Sequence, residues 1–394
     1  MRVFDRRYEL MPRPQLEQLQ LERLQALLVR LKRYVRRYRE RIGDARVESL
    51  DDLARLPQTT PEEIAESFPY GMFALPLREV IQLHSTTGPQ GKPLIVGHTR
   101  NDLAQWGRLV ARQLAAGGAT ANDVVQVCFG AGTYVKGSGY VLGAESIEAT
   151  VIAEEPFHID HQLSMLQNYR PTVLITTPAN ARELVRVMEL RHIDPPTLNL
   201  RTVLLTRPVD GGVREELRAG LLVAVQCNFG VEEVLDPGLC VECEAGHFHV
   251  NGDQFLVEAP EGELLVTTLC REAMPLLRYR TRVACTLLRN KCSCGRTGVM
   301  LDPGGRLDGR LRVRETPLYE GQIAEILSQT RAAGRRFHFK VEERRVVVFI
   351  EMTGDLFSDM MWPMENLRRG IESEFLSRLG IEAEVRFLSP TRQT

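Results

Sequence analysis

Between residues 80 and 300, short β-branched runs alternate with helix-length amphipathic stretches, and this alternation confines the chain to the α/β class. The runs fall at 124–129, 172–177, 202–206, 222–229, 263–269 and 285–288, with helical stretches at 101–116, 158–169 and 180–190 between the earlier ones. A composition shift follows at Gly304-Gly305-Arg306, a Gly- and Arg-rich stretch that suits a linker. Beyond it the order reads helix 321–330, hairpin 337–340 with 345–351, helix 359–379 and strand 382–388, a small α+β domain. The expectation is two domains, 1–305 and 306–394, with no internal repeat.

Ahead of this core, Leu21, Leu24, Leu28, Leu31, Val35, Tyr38 and Ile42 recur three and four apart. That spacing predicts one long amphipathic helix within residues 1–43, closed by Gly43. Arg30, Lys32, Arg33, Arg36, Arg37 and Arg39 crowd its other positions. A basic helix can meet nucleic acid or acidic lipid, but a solvated outer face is the simpler reading in a chain with 50 basic and 51 acidic residues. The net charge of −1 gives no whole-chain attraction to nucleic acid or to a membrane. No apolar run is long enough to span a bilayer, and the opening MRVFDRRYELMPRP has no apolar segment behind its charges. The chain reads as cytoplasmic.

Two places carry chemistry. The first is His84-Ser85-Thr86-Thr87-Gly88-Pro89-Gln90-Gly91-Lys92-Pro93, which follows the β-like run 80–83. Glycines let backbone N–H groups approach an anion, hydroxyls add donors and a lysine supplies charge. It is not a Walker loop, because the glycine spacing differs and Pro93 stands where a magnesium-binding hydroxyl belongs. By itself such a segment also reads as an ordinary turn. The glycines at 130, 132, 137, 139 and 143 likewise miss the dinucleotide spacing.

The second place is a set of thiols. Eight cysteines are too few for a disulfide scaffold, and Cys128, Cys227, Cys270 and Cys285 sit in expected strands as small core residues. Cys243-x5-His249 and Cys292-Ser293-Cys294-Gly295 supply four soft or borderline ligands from two hairpin-like places. Tetrahedral zinc accepts a Cys₃His set, and a structural site keeps all four protein ligands. The spacing departs from finger patterns, so idle thiols remain the alternative, and His247 rivals His249.

The loop and its context resemble the phenylacetate–CoA ligase family of adenylate-forming enzymes. The family pattern is an H-A-S-S-G-T-T-G-K-P loop and then a Y-T-x-x-D-L-x-x-W helix. Here HSTTGPQGKP is followed by His98-Thr99-Arg100-Asn101-Asp102-Leu103 and Trp106. Gly143-Ala144-Glu145, Phe229-Gly230-Val231-Glu232-Glu233, Gly262-Glu263-Leu264 and Arg278-Tyr279-Arg280-Thr281-Arg282 match later blocks in order, and PYGMFALP resembles an earlier one. The likeness implies a large adenylate-forming N-terminal domain and a small α+β C-terminal lid. It implies a two-step activation of a small aromatic or acyl carboxylic acid by ATP, with transfer to coenzyme A. By the same likeness Thr86, Thr87, Gly88, Gly91 and Lys92 hold phosphate and Glu233 holds Mg2+. Arg306 and Asp308 attend the nucleotide near the hinge, and Tyr134, Val135 and Tyr140 line the acid pocket. The relatives' E-C, G-L-H-I and C-x-C-G-R-T segments favour structural zinc on Cys243, His249, Cys292 and Cys294. The likeness also leaves a homodimer as a candidate assembly.

The departures from the pattern gather at the nucleotide. Pro89-Gln90 replace two hydroxyl residues, Leu205-Thr206-Arg207-Pro208 replace G-A-E-P, Glu232 replaces a serine and Val283 replaces an aspartate that grips the ribose. The hinge reads Arg314, Glu315 and Pro317, and no lysine follows Lys340, where the family's adenylating lysine would lie beyond the last strand. Losing one such preorganised charge typically lowers a rate by about 10²–10³. Two expectations follow from these losses. One is a ligase that is slow or uses another cation such as Arg392; the other is a non-catalytic paralogue that binds an acid or a partner.

Overall fold

A sheet strand buried on both faces favours a near-continuous apolar run, and two segments of the parallel sheet show one. Every residue of the strands Val173–Thr176 and Thr202–Leu205 is buried. In the computed structural model, which describes residues 2–129, 134–152, 154, 156, 158–313, 316–342, 345–351 and 361–388, they lie at the heart of a parallel sheet. The strand order is Thr150–Ile152, Val124–Cys128, Val173–Thr176, Thr202–Leu205 and Ala224–Cys227. The register sets Val125 beside Val173 and Val173 beside Thr202. The strand Thr150–Ile152 escaped the sequence reading because three residues are too few to show a period.

The chain divides into two units, Met1–Thr86 with Pro93–Gly305, and Thr87–Lys92 with Arg306–Thr394. Besides the parallel sheet, the first unit holds a six-stranded antiparallel sheet. Its order is Phe255–Glu258, Glu263–Thr268, Tyr279–Leu288, Met300–Arg306, Phe248–Val250 and Cys240–Glu242. The run expected at 285–288 is the tail of the longer strand Tyr279–Leu288. Arg280 and Arg282 interrupt that strand's apolar pattern; they form ion pairs with Glu263 and Glu62.

The long N-terminal helix is corrected by the structure. It is two helices, Arg13–Tyr34 and Arg36–Ile42, after a short turn of helix at Arg6–Glu9. Val35 breaks the path with extended backbone, φ −110° and ψ 109°. A β-branched residue adopts this conformation readily. The bend keeps Val35, Tyr38 and Ile42 all buried in the same core as Leu24 and Leu31. It exposes carbonyls at the end of the first helix, and Arg39 Nε donates to Lys32 O at 2.7 Å. Other basic residues are also engaged within the first unit. Arg37 bonds Glu66 at 2.9 Å, Arg41 bonds Glu63 at 2.6 Å, and Arg30 donates to Arg271 O at 2.8 Å. No helix among the described residues is long and apolar enough to cross a membrane.

The helix Arg100–Ala116 shows how one motif builds the scaffold. Thr99 and Asp102 form a reciprocal capping box, Thr99 N to Asp102 Oδ2 and Asp102 N to Thr99 Oγ1, both at 3.0 Å. The same carboxylate accepts the amides of Glu272 at 2.8 Å and Ala273 at 3.0 Å. Asp102→Ala leaves three backbone donors to find other partners. The expected loss is about 2–3 kcal/mol of stability, read as a fall of roughly 5 °C in Tm by calorimetry. An unchanged Tm would show that the cap is not holding the helix end.

The second unit has its own core. Strands Phe337–Val341 and Arg345–Glu351 pair antiparallel, and Glu382–Leu388 adds in parallel. Helices Glu320–Ser328 and Met361–Leu379 contribute Ile323, Ile326, Ile371 and Phe375 to a cluster with Val346, Val348, Ile350 and Val385. The hinge residues Arg314 and Glu315 and the terminal segment with Arg392 lie outside the described residues. Pro317 is in the short strand Thr316–Leu318, paired with Arg312.

Candidate active site and metal cluster

Along the strand Gln82–Thr87, burial alternates, so Leu83 and Ser85 are exposed while Thr86 turns inward. There the Thr86 hydroxyl donates to Glu233 Oε1 at 3.1 Å, and both side chains are buried. Glu233 follows the strand Ala224–Cys227 on a tight reversal, where the amides of Val234 and Leu235 bond Val231 O at 2.9 and 2.8 Å. Two hard oxygens 3.1 Å apart match the ~3.0 Å edge of a magnesium octahedron with bonds of about 2.1 Å. The pair fits a small divalent cation. Glu232 stands beside it, half-buried.

Residues Thr87–Lys92 group with the second unit. Gly88 N donates to Lys92 O at 2.7 Å, Gly91 N to Gly88 O at 3.1 Å and Lys92 N to Pro89 O at 3.1 Å. These three amides are therefore turned into the loop's own carbonyls, and Pro89 has no N–H to offer. Lys92 is exposed and is the charged side chain of the segment. Arg310 Nη1 donates to Thr87 O at 3.3 Å. Gly91 has φ +82°, and a Cβ there would come within 2.6 Å of Gln322 Nε2, so only glycine suits both the turn and the contact.

Arg306 and Asp308 meet directly. Arg306 Nε donates to Asp308 Oδ1 at 3.0 Å and Nη2 reaches Oδ2. Burial works against the Asp308 carboxylate, but the Arg306 hydrogen bonds and charge outweigh it and hold the group below the usual carboxylate range. Tyr140 is buried in the helix Tyr134–Ser146, tilted against Phe129 with centroids 5.7 Å apart. Tyr134 and Val135 open that helix, and their side chains lie outside the described set, as do Gly130 and Gly132.

Val283 is buried in the strand Tyr279–Leu288. The arginines before it are structural. Arg278 makes a two-pronged bond to Glu258, both contacts 2.9 Å, and donates to the carbonyls of Ala54 and Leu56 at 2.7 and 2.6 Å.

The thiol set converges. The ligand atoms of Cys243, His249, Cys292 and Cys294 all lie within 4.8 Å of one another. Cys243 Sγ is 3.8 Å from Cys292 Sγ, and Cys294 Sγ is 3.3 Å from His249 Nε2. A zinc tetrahedron with bonds near 2.3 Å to sulfur and 2.0–2.1 Å to nitrogen has edges of about 3.8 Å (S–S) and about 3.6 Å (S–N). The Cys243–Cys292 edge matches, the Cys294–His249 edge is a little short, and the set as a whole is of the size a zinc ion needs. His249 Nδ1 lies 3.2 Å from Gly298 O, which fixes the ring with Nε2 toward the thiols. Burial drives the His249 imidazole down to about 4, so it is neutral, as a ligand must be. Burial also pushes the Cys243 thiol up to about 11, a direction that a bound dication reverses. For Cys292 burial is outweighed by hydrogen bonds from Cys294, Cys243 and Ser293, which lower it. His247 is exposed and contributes its carbonyl to Cys243 N at 2.9 Å, so the choice between the two histidines falls to His249. The pairing of Met300 with His249 puts that residue next to the 292–294 turn.

Sequence reasoning missed one buried charge cluster. Arg112 binds Asp253 through both guanidinium nitrogens at 2.6 and 3.1 Å and Asn251 at 3.0 Å. Arg296 Nε bonds Glu9 at 2.9 Å, which ties the turn after Cys294 to the N-terminal segment. An isolated arginine or aspartate in a helix or loop gives no signal of a partner 141 positions away.

No family model matches the chain. It is 35% identical over 340 residues to the phenylacetate–coenzyme A ligase of Thermus thermophilus, covering 81% of this chain and 76% of that protein. It is 31% identical over 353 residues to the phenylacetate–coenzyme A ligase of Escherichia coli, covering 84% and 80%. Among solved structures, a 2-hydroxyisobutyryl-CoA ligase in complex with 2-HIB-AMP and CoA is similar with a TM-score of 0.89. That match covers 100% of this chain and 90% of the other at 21% identity. An amide bond synthetase from Marinactinospora thermotolerans follows at TM-score 0.55 and 16% identity, covering 79% and 66%. The structural matches establish the fold as that of adenylate-forming ligases. With sequence identity above 30% across four-fifths of its length, the chain belongs to the phenylacetate–CoA ligase family of the adenylate-forming superfamily.

Proposed function

We propose that the protein joins a small aromatic or acyl carboxylic acid, of the arylacetic class, to coenzyme A at the expense of ATP. In the first step a carboxylate oxygen attacks the α-phosphorus of ATP, the bond to the bridging oxygen breaks, and pyrophosphate leaves. In the second, the coenzyme A thiolate attacks the acyl carbon of the adenylate and AMP leaves with the C–O electron pair. The observation that carries the reading is the buried Thr86–Glu233 pair at the head of the loop, 3.1 Å apart, in a chain of this family.

Under this reading Glu233 would hold Mg2+, which would supply charge neutralisation between the two anions. Thr86, Thr87, Gly88, Gly91 and Lys92 would attend the phosphates, Arg306 and Asp308 the nucleotide, and Tyr134, Val135 and Tyr140 the acid. Zinc on Cys243, His249, Cys292 and Cys294 pins two turns and takes no part in the chemistry. ATP–pyrophosphate exchange with a panel of aryl and acyl acids, followed by detection of the acyl-CoA, tests the reading. Acid-dependent exchange is the expected result; folded protein with neither exchange nor thioester sinks it.

A second reading, a non-catalytic paralogue that binds an acid or a partner, is favoured by Val283 and Glu232 at positions where the family carries an aspartate and a serine. Val283→Asp separates the two. If the valine merely weakens the nucleotide grip, restoring charged hydrogen bonds lowers the KM for ATP by about ten-fold or more, from about 1.5–3 kcal/mol. Without nucleotide the new carboxylate is buried and unpaired, so Tm falls and ATP recovers it. A variant whose KM and ATP-dependent Tm match the parent removes Val283 from the nucleotide site.

A further inference from the structure

Three aromatic rings stand face to face inside the first unit. His84 stacks on His98 with centroids 5.2 Å apart and planes at 22°, and His98 stacks on Trp106 at 5.0 Å and 8°. His84 lies two residues before Thr86, on the same face of the strand Gln82–Thr87. At the other end, Trp106 Nε1 donates to Pro237 O at 2.6 Å, four residues beyond Glu233. The indole also abuts the helix Tyr134–Ser146: a Cβ on Gly139 would come within 2.5 Å of Trp106 Cε2. The stack therefore links the Thr86 strand, through His84 and His98, to Trp106, which touches the turn after Glu233 and the helix Tyr134–Ser146.

His98 is the middle ring, and its chemistry is unusual for a histidine. Arg271 Nη1 lies 3.1 Å from His98 Nδ1, and Arg271 is itself buried. A guanidinium can only donate, so Nδ1 accepts and the proton sits on Nε2. That Nε2 has no hydrogen-bond partner among the described residues. Burial, then the charge of Arg271 and the neighbouring His84, holds the ring neutral. The ring meets its two neighbours through its flat faces.

We infer that His98 and Trp106 are positioning residues, a stacked spacer that sets the Thr86 strand against the Glu233 turn. The inference rests on the reading of Thr86 and Glu233 as the nucleotide site. Two substitutions of His98 split its properties. His98→Phe keeps a ring and removes the acceptor of Arg271, whereas His98→Gln keeps an acceptor and removes the ring. Misplacing a reacting group by about 1 Å can lower a rate by about 10²-fold. In ATP–pyrophosphate exchange, His98→Gln is expected to lose about 10- to 100-fold in kcat with the KM for the acid unchanged. His98→Phe is expected to stay within about three-fold of the parent while losing thermal stability, because Arg271 is left without its acceptor.

Amide hydrogen exchange gives a second readout that needs no turnover. His98→Gln should speed exchange in segments 82–87 and 229–237 together, His98→Phe in neither, and Trp106→Phe in 229–237 alone. Exchange that rises evenly over the whole chain, or His98→Phe as loose or as slow as His98→Gln, overturns the inference. A parent protein with no ATP–pyrophosphate exchange refutes the ligase reading instead, and the hydrogen-exchange pattern then decides the spacer by itself.

Discussion

Glu233→Gln is expected to cut acid-dependent ATP–pyrophosphate exchange by about 10²–10³-fold. The amide is nearly isosteric with the carboxylate, and its oxygen can still accept from the Thr86 hydroxyl, now 3.1 Å away. What it lacks is the charge that holds a hard dication, so the loss should appear as a weaker dependence on Mg2+ and a lower kcat. Stability should change little or rise, because removing a buried charge lifts a desolvation penalty. Exchange within a few-fold of the parent at saturating Mg2+ would remove Glu233 from the proposed site. A large fall in Tm would instead point to a structural role for the carboxylate, so both measurements belong to the same experiment.

Cys294→Ser should strip the metal from the four-residue cluster and loosen the turns it joins. The parent is expected to carry about one zinc per chain by elemental analysis and the variant almost none, since structural zinc needs its full tetrahedral set. The expected loss is about 3–5 kcal/mol, a fall in Tm of roughly 5–10 °C. The reach of the effect follows from neighbouring contacts. Arg296 holds the Glu9 carboxylate at 2.9 Å and Thr297 N bonds Glu9 O at 3.2 Å. Releasing the 292–298 turn therefore frees the N-terminal segment, and trypsin should cut at Arg6 or Arg7 sooner than in the parent. Full zinc content in Cys294→Ser, or an unchanged Tm with the metal gone, sinks the assignment.

The paired donor set was legible in the sequence, because thiols and histidines are few and their chemistry is distinctive. The parallel sheet was legible for a related reason. Runs such as Val173, Leu174 and Ile175, and Val203, Leu204 and Leu205, are apolar because both faces are buried, and that demand is written locally. Motif order was enough for family membership, and the Thr86–Glu233 meeting was expected from it.

Other features depend on what a residue faces after folding. Val35 looked like one more apolar position of a single helix, and the need to bury Val35, Tyr38 and Ile42 against one curved core bends the chain there. His247 and His249 are equivalent as letters; the pairing of His249 with Met300 sends one to the thiols and leaves the other in solvent. The stack of His84, His98 and Trp106 joins a strand, a second strand and a helix, so no local period announces it. Local periodicity by itself determined the class of fold, the order of motif blocks pointed to the family, and residue chemistry singled out the thiols that converge. Register, bends and buried long-range partners belonged to the tertiary structure alone, because each is selected by packing between segments whose separation along the chain carries no signal of their contact.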